Sequence, residues 1–264
     1  MDKSKMGNLL QVRHLSQHVY VHKGWLSRQR VSAIDDISFG LNMGESLAII
    51  GEAGSGKSSL AKVLTGINKP SQGDIFIQGE ALQFGDYTRR CRLIRMIFQD
   101  PSSSLNPRSN IGRILSAPLS LNTELSAQEQ QQKVMATLRL VGLLEEHAEF
   151  YPNMLSSGQK QRVGLARALI LNPKIIVIDE SIAALDVSVR AQIINLLLGL
   201  QRRFAISYIF VSNDLGLVRH FSDKVLVMQQ GKAVEFKDTE DFFTHPEHEL
   251  SQRLLSAYQD AIRK

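Results

Sequence analysis

The chain has 264 residues, of which 43% are hydrophobic and 22% are charged, with a formal net charge of +5 at pH 7. This composition predicts a folded protein that can bury a sizeable core, and it excludes a disordered chain. The mild positive charge is compatible with an anionic ligand or a membrane surface, but spread-out Lys and Arg residues usually form only a solvated exterior.

Cysteine content and hydropathy limit the cellular compartments in which the protein is expected. Cys91 is the single cysteine, so an intrachain disulfide is excluded and a reducing compartment is favoured. No apolar run approaches the ~18 residues of a membrane-spanning helix, and the charged start, residues 1–5, is not followed by an apolar stretch. We therefore predict no signal peptide and a protein that is soluble by itself, so any role at a membrane needs a partner that supplies the path.

The N-terminal part of the chain predicts short strands around one glycine-rich segment. Apolar runs indicate buried strands there, and alternation of apolar and polar residues indicates an edge strand. In chain order we predict a strand over 9–14, a basic loop over 22–30 that holds Trp25, an alternating strand over 37–41, a turn over 42–45, a buried strand over 46–50, a helix over 59–64, and strands over 74–77 and 95–98.

Residues 51–58 fit the pattern G-x-x-x-x-G-K-[ST] between a predicted strand and a predicted helix. Glycine lets the backbone curl until several N–H groups point at one centre, and the helix N-terminus adds partial positive charge. In this pattern the lysine reaches the β- and γ-phosphates of a nucleotide, and the final hydroxyl ligates Mg²⁺. We therefore predict nucleotide binding by Gly51, Glu52, Ala53, Gly54, Ser55, Gly56, Lys57 and Ser58, which we call the glycine loop.

Between residues 101 and 156 the pattern becomes helical. Prolines interrupt the early part, and Ser126 with Glu129 forms a capping box, the spacing that starts a helix. Val134, Leu138 and Val141 then recur at helical spacing and form one apolar stripe. We predict a helical subdomain inserted into the surrounding chain.

The second half of the chain alternates strands with helices. Residues 175–178 are a continuous β-branched run, which is typical of a strand buried on both faces. An amphipathic helix over 189–200, strands over 208–211 and 225–228, and a helical end from residue 238 follow. This alternation predicts a mostly parallel α/β sheet.

Asp179 and Glu180 follow the β-branched run directly. The carboxyl ends of parallel strands meet at one edge of the sheet, where such folds bind ligands. Neighbouring strand residues point to opposite faces, so one carboxylate can hold the Mg²⁺ shell while the other polarises a water. A solvated strand end is the alternative for the pair alone, and the glycine loop upstream favours the catalytic interpretation.

Ser156 and Gln159 repeat the capping-box spacing within Leu-Ser-Ser-Gly-Gln, residues 155–159. The motif therefore opens a helix, and its small residues leave backbone N–H groups bare. The helix dipole favours an anion at such a position. Taken alone, these five residues are better explained as an ordinary helix start.

Five motifs occur in the order and spacing of the ATP-binding cassette (ABC) ATPases, which the chain resembles over nearly its whole length. The sequence over 98–108 and 184–192 is similar to that of the ATPases of oligopeptide and dipeptide importers. Among these it is most similar to the Sap-type importers, which are linked to resistance against antimicrobial peptides. The motifs are the glycine loop, Gln99 after a strand, Leu-Ser-Ser-Gly-Gln at 155–159, Ile-Val-Ile-Asp-Glu at 176–180 and Ala-Leu-Asp at 184–186.

The resemblance implies an α/β fold: a P-loop NTPase core of the ABC type with a mostly parallel sheet, an antiparallel β subdomain and an inserted helical subdomain. It implies a single ATPase domain over 8–237, with the helical subdomain at about 101–156, and a helical tail over 238–264. In this family two cassettes dimerise head to tail and trap two ATP molecules. Each site then takes its glycine loop from one chain and its signature motif from the other. ATP and Mg²⁺ are the implied cofactors.

The family's residue roles map onto matching positions of this sequence. Ser59 would join the glycine loop in holding the phosphates, and Ser58, Gln99 and Asp179 would hold Mg²⁺. Gln99 would also contact the attacking water and relay the nucleotide state to the membrane partner, and Glu180 would be the catalytic base. The remaining implied positions are the signature residues Ser156, Ser157, Gly158 and Gln159, which complete the companion's site, Asp186 at the dimer seam, and Tyr20 or a neighbour stacking on adenine.

The resemblance also implies partners. They are a second ABC ATPase, in a heterodimer or a homodimer, two integral membrane permease subunits and, indirectly, a periplasmic peptide-binding protein. The chain would lie on the cytoplasmic face of the bacterial inner membrane and energise peptide import by ATP-driven dimer closure. The rival class is a cassette ATPase that acts on nucleic acid. Members of that class usually carry two cassettes or long coiled-coil insertions, and this sequence indicates neither. No nucleic acid is expected, because the basic stretch over 89–95 lacks interleaved aromatic residues.

Three features depart from the family pattern. Ser157 stands where glycine is commoner, and the cysteine-bearing C-terminal extension of many importers is not expected here. Asn213 stands where the family has a switch histidine; it can donate a hydrogen bond but does not become cationic. A γ-phosphate contact without charge is weaker than a charge-assisted one. We hypothesise that the chain's own site hydrolyses slowly while its signature serves a faster companion; the alternatives are that Asn213 suffices, or that the chain is a regulatory cassette with negligible turnover.

Overall fold

The computed structural model describes residues 8–22, 28–98, 104–179 and 187–262, without the side chains at 20–22, 28–30 and 187. Two β-sheets organise this part of the chain. One sheet has six strands in the order β10-β9-β3-β8-β7-β6, and all its neighbours are parallel except β10 and β9. Its strands are β3 (Ser46–Gly51), β6 (Ile94–Ile97), β7 (Ile175–Asp179), β8 (Ser207–Val211), β9 (Lys224–Gln229) and β10 (Lys232–Asp238).

The second sheet is antiparallel, with the order β2-β1-β4-β5. Its strands are β1 (Asn8–His22), β2 (Arg28–Asn42), β4 (Gln72–Ile77) and β5 (Glu80–Ala81). The expected fold class, a mostly parallel core sheet with an antiparallel β subdomain and helices, is therefore confirmed.

The hairpin of β1 and β2 is longer than the sequence predicted. His14 and Asp36 have left-handed backbone, with φ of 48° and 51°, where the register between the two strands shifts. Such bulges interrupt the in–out alternation of a strand, so the alternating pattern ends at residue 14 although the strand continues. The predicted basic loop over 22–30 was therefore too long, because both of its ends belong to the hairpin; Trp25 lies outside the described residues.

The core forms on both faces of the six-stranded sheet. Along β3, Leu47 and Ile49 pack towards the antiparallel sheet and helix α1 (Lys57–Leu64). Ala48 and Ile50 pack on the opposite face, against the helices. Every residue of β7 is buried, which confirms that the β-branched run is a strand covered on both faces.

Helices occupy most of the chain between β6 and β7. The predicted capping box holds: Ser126 caps its helix, with the Glu129 carboxylate accepting from the Ser126 N–H at 2.8 Å. Val134 and Leu138 of that helix are buried in the core. The elements are α3 (Ile111–Asn122), α4 (Ala127–Leu140), two 3₁₀ turns (Glu145–Glu149 and Pro152–Met154) and α5 (Ser157–Leu169).

The remaining described helices connect the strands or follow them. None of the helices in the described part of the chain combines the length and the apolar character that a bilayer crossing requires. These helices are α2 (Tyr87–Leu93), α6 (Val187–Phe204), α7 (Leu215–Phe221), α8 (Thr239–Thr244) and α9 (Glu249–Ile262).

A buried carboxylate on β10 fixes the start of α9. Glu235 is only 7% exposed and accepts hydrogen bonds from the backbone N–H groups of Glu247 and His248 at 3.0 and 3.1 Å. The Ser251 hydroxyl donates to the same carboxylate, and Lys237 lies 3.7 Å from it. Burial alone would raise the pKa of the Glu235 carboxyl, but these donors outweigh it and hold the pKa below its ordinary value.

We predict that Glu235→Gln lowers the free energy of unfolding by about 1–3 kcal/mol at pH 7, because an amide faces the backbone donors less favourably than a carboxylate. A carboxyl whose folded-state pKa is depressed stabilises the fold above its ordinary pKa of ~4.3 and loses that contribution as pH falls through the folded-state pKa. The difference between wild type and variant should therefore shrink in acid. Denaturant unfolding of wild type and variant at pH 7 and at acidic pH measures this difference.

Glu146→Gln, which changes an exposed carboxylate, is the matched control and should leave stability unchanged. Equal stability of the Glu235→Gln variant and wild type at pH 7 would contradict the assigned role.

Candidate functional site

The glycine loop joins the end of β3 to the start of α1 at the carboxyl edge of the parallel sheet. Two positions of this loop need glycine, because the backbone there passes close to another part of the chain. A Cβ at Gly51, where φ is +146°, would lie 2.1 Å from the carbonyl oxygen of Met228, and one at Gly56, where φ is +103°, would lie 2.3 Å from that of Ala33. Gly56 caps α1 without a side-chain hydrogen bond, so the first-turn N–H groups keep their anion-binding character.

Lys57 lies across the loop that precedes it. The side chain is buried, and its Nζ donates to the carbonyl oxygens of Gly51 and Glu52 at 2.8 and 2.9 Å. Carbonyl oxygens satisfy N–H donors without cancelling the charge of the ammonium. The loop therefore carries a cation together with helix N–H groups, a combination that suits phosphate.

Ser58 and Asp179 meet between α1 and the end of β7. The Ser58 hydroxyl donates to Oδ1 of Asp179 at 3.1 Å, and the carboxylate is 8% exposed. These two residues are 121 positions apart in sequence, and the parallel sheet brings them together. A hydroxyl and a carboxylate oxygen are hard donors of the kind that Mg²⁺ prefers, so the pair fits that ion chemically.

Asn213 lies beside the glycine loop. It is exposed, and it lines a cavity of about 390 Å³ together with Gly51, Glu52 and Ala53. Asp214 beside it caps α7 through the Leu217 N–H.

Arg190 helps to hold the segment that contains Asn213 and Asp214. Nη1 of Arg190, on α6, donates to Oδ2 of Asp214 at 2.9 Å. The sequence analysis did not single out this ion pair, because its partners belong to separate elements and share no motif.

The start of α5 carries the predicted signature residues. Ser156 caps the helix, and its N–H donates to Oε1 of Gln159 at 2.9 Å, so the second capping box is present. The amide of Gln159 lies 3.2 Å from Nε2 of His147, a contact that the sequence did not predict. Ser156 and Ser157 are exposed. A Cβ at Gly158 would lie 3.2 Å from the side chain of Val189 on α6, so an added methyl group would require that side chain to shift slightly.

Several predicted site residues lie outside the described part of the chain. Gln99, Glu180 and Asp186 are among the residues left out of the description, and so is the side chain of Tyr20, whose backbone belongs to β1. Ser59 lies in the first turn of α1 and is half-buried. The roles assigned to these residues stay predictions.

We predict that Gly51→Ala weakens the binding of ATP by at least about tenfold, or ~1.4 kcal/mol, because the added methyl group would collide with strand β9. Gly54→Ala is the matched control, since φ is +76° there and nothing lies within 4 Å of the added Cβ. That control should cost only backbone strain of ~1–2 kcal/mol in stability. Titration with a fluorescent ATP analogue measures affinity, and comparable affinities for the two variants would refute the steric argument.

Comparison with known proteins assigns the chain to a family. The family model described as ABC transporter matches residues 34–183. The putrescine export system ATP-binding protein SapF of Escherichia coli K12 is 52% identical over 95% of this chain and 93% of its own length. The peptide transport system ATP-binding protein SapF of Salmonella typhimurium is 51% identical over the same shares. The dipeptide transport ATP-binding protein DppF of E. coli K12 is 44% identical over 94% of this chain and 76% of its length.

Solved structures agree with the family assignment. The post-hydrolysis dimer of the ATP-binding cassette MJ0796 bound to ADP and Pi has a TM-score of 0.76 and 25% identity, and it covers 88% of this chain and 99% of its own. The cbiO1 protein of Clostridium perfringens, part of the transporter complex cbiONQ, has a TM-score of 0.77 and 26% identity, over 97% of this chain and 99% of its own. The glycine loop, the sheet order and these matches together show that the chain belongs to the ABC transporter family and is an ATP-binding cassette ATPase.

Proposed function

We propose that this chain is the ATP-hydrolysing subunit of a bacterial peptide transporter, which it energises by ATP-driven closure of a cassette dimer. The observation that carries the proposal is the assembly at one sheet edge of a buried, loop-held Lys57 and the hydrogen-bonded pair of Ser58 and Asp179. Residues 8–237 would act as one ATPase domain, with the helices at about 101–156 as its inserted subdomain and 238–264 as its tail. The names of relatives such as SapF and DppF support the transport role.

In the proposed mechanism the chain mainly positions and neutralises charge. Lys57 would exchange its carbonyl partners for the β- and γ-phosphates, and the first-turn N–H groups of α1 would hold the same oxygens. Ser58, Gln99 and Asp179 would hold Mg²⁺, which supplies charge neutralisation on the phosphates. Glu180 would accept the proton of the attacking water.

Completion of the site would need a companion cassette. Ser156, Ser157 and Gly158 lie at a helix start, and the two serines are exposed there. A helix N-terminus that faces solvent can approach the phosphates bound by another chain. We propose that the companion is a second ABC ATPase in a heterodimer; the dimeric state of MJ0796 supports pairing as such.

A groove beside α2 supports the proposed membrane partners. Its cavity of about 650 Å³ lies between α2, β6 and α5. Tyr87 and Phe98 line it and are 57% and 39% exposed. Arg95 and Arg167 add positive charge to the same wall.

Exposed aromatic side chains with arginines are typical of protein interfaces. We propose that a membrane permease docks in this groove, one permease for each cassette, with a periplasmic peptide-binding protein acting through the permeases. The chain would then lie peripherally on the cytoplasmic face of the inner membrane.

Cargo is the point on which the relatives' names differ. One 52%-identical relative is named for putrescine export and another of equal identity for peptide transport. The residues described above would act on nucleotide, so the proposed selection of cargo belongs to the membrane subunits and the binding protein. We propose peptide as the cargo and import as the direction; putrescine export is the second candidate, on the strength of that relative's name.

The transport test uses the complete transporter in proteoliposomes. We expect ATP-dependent movement of labelled peptide into the compartment that holds the ATPase. Lys57→Ala should reduce this movement to background, because the cation that would bind the phosphates is lost. Labelled putrescine serves as the competing cargo. Movement of putrescine alone, or outward movement, would overturn the assignment of peptide import.

The asymmetry between the two sites is tested separately. We predict that Glu180→Gln in this chain reduces turnover of the purified pair at least about fivefold less than the equivalent change in the companion, because a neutral Asn213 forgoes a charge-assisted hydrogen bond of ~1.5–3 kcal/mol. Asn213→His should raise the contribution of this chain's own site. Steady-state release of phosphate measures both, and equal losses from the two glutamate variants would sink the asymmetry.

A further inference from the structure

The C-terminal helix α9 forms one wall of the cavity next to the glycine loop. This cavity, of about 390 Å³, is bounded on one side by residues 51–53 and 213–215. Leu254, Ala257, Tyr258 and Ala261 of α9 bound it on the other side. The helix therefore lies beside the segment that holds Lys57 and beside Asn213.

Glu52 connects the two sides of this cavity through two different groups. Its carbonyl oxygen accepts from Lys57 Nζ at 2.9 Å. Its carboxylate Oε1 accepts from Nη2 of Arg253, on α9, at 3.1 Å. One residue of the glycine loop thus contacts both the phosphate-binding cation and the C-terminal helix.

Other contacts hold α9 in place independently of this ion pair. Glu235 binds the start of the helix, as described above. The Tyr258 ring packs edge-on to Phe243, with ring centroids 6.0 Å apart. Gly216 lies close to Tyr258, whose hydroxyl would be 3.7 Å from a Cβ at that position. Removal of the Arg253 charge should therefore leave α9 folded and docked.

The charge of Glu52 gives Arg253 its consequence. A carboxylate in a loop that holds a triphosphate repels the ligand, and a cation 3.1 Å from that carboxylate offsets the repulsion. Both side chains are about half exposed, so solvent screening keeps the effect small. We infer that Arg253 is a positioning residue of the nucleotide site: it acts through Glu52 to orient the loop and to neutralise its carboxylate, and thereby raises the affinity for ATP.

Linkage adds a second consequence. If docking of α9 raises the affinity for ATP, then ATP must stabilise the docked helix by the same factor. Binding of nucleotide should therefore slow hydrogen exchange of the backbone amides of α9, a helix that belongs to none of the family's motifs quoted above.

The experiment measures binding of a fluorescent ATP analogue by the full chain with Mg²⁺ present. Arg253→Gln should weaken binding about threefold, the effect expected for an exposed ion pair, and more at low ionic strength. Arg253→Lys should recover most of the affinity, since it keeps the charge. In a Glu52→Gln background, Arg253→Gln should have no further effect, because the carboxylate that it neutralises is gone.

Arg202→Gln is the matched control. Arg202 is exposed in the last turn of α6, near the edge of the sheet where β8 begins, so the same loss of charge there should leave affinity unchanged.

Two outcomes would overturn the inference. One is an Arg253→Gln affinity equal to wild type at low salt, and the other is an equal loss in the wild-type and Glu52→Gln backgrounds. Absence of ATP-induced protection in α9 would remove the linkage. Because these readouts need only binding by the single chain, they stand apart from the proposed transport role, which fails or holds in the proteoliposome experiment.

Discussion

The site depends on one buried cation, the ammonium of Lys57, which the carbonyl oxygens of Gly51 and Glu52 hold inside the glycine loop. A buried charge is costly unless polar groups solvate it. Here the loop supplies dipoles that satisfy the donors and leave the charge available to an anion. Loop curvature, the glycine at the contact with β9 and the start of α1 all serve this arrangement, because each determines where the carbonyl and N–H groups point.

The parallel sheet explains why residues far apart in sequence act together. β3 leads into the loop, β7 ends at Asp179, and β8 leads to Asn213, so three neighbouring strands deliver their functional residues to one edge. At the start of α5, by contrast, Ser156 and Ser157 are exposed, and the signature residues there pair with their own helix and with His147. This separation of the glycine loop from the exposed start of α5 is what the proposed head-to-tail pair would require.

Local rules predicted much of this structure from sequence, and long-range contacts account for what they missed. Strand burial, both capping boxes and the position of the glycine loop follow from periodicity and short spacings, and the structure has them. The full length of β1 was missed because a bulge at His14 broke the alternation. The pair of Glu52 and Arg253 spans 201 residues and belongs to no motif, so only the folded chain reveals it.

Contacts also connect the nucleotide site to the C-terminal helix by a continuous route. Glu235 anchors the start of α9, Arg253 one turn later contacts Glu52, and Glu52 holds Lys57 through its carbonyl. Each step is a hydrogen bond to a charged group and is therefore directional, although solvent screening keeps the exposed pair of Glu52 and Arg253 weak. In the proposed mechanism ATP draws Lys57 away from the carbonyl of Glu52, the same loop residue whose carboxylate contacts Arg253. The inferred coupling of α9 to phosphate therefore runs through Glu52, although the helix supplies no group that would touch the nucleotide in the proposed mechanism.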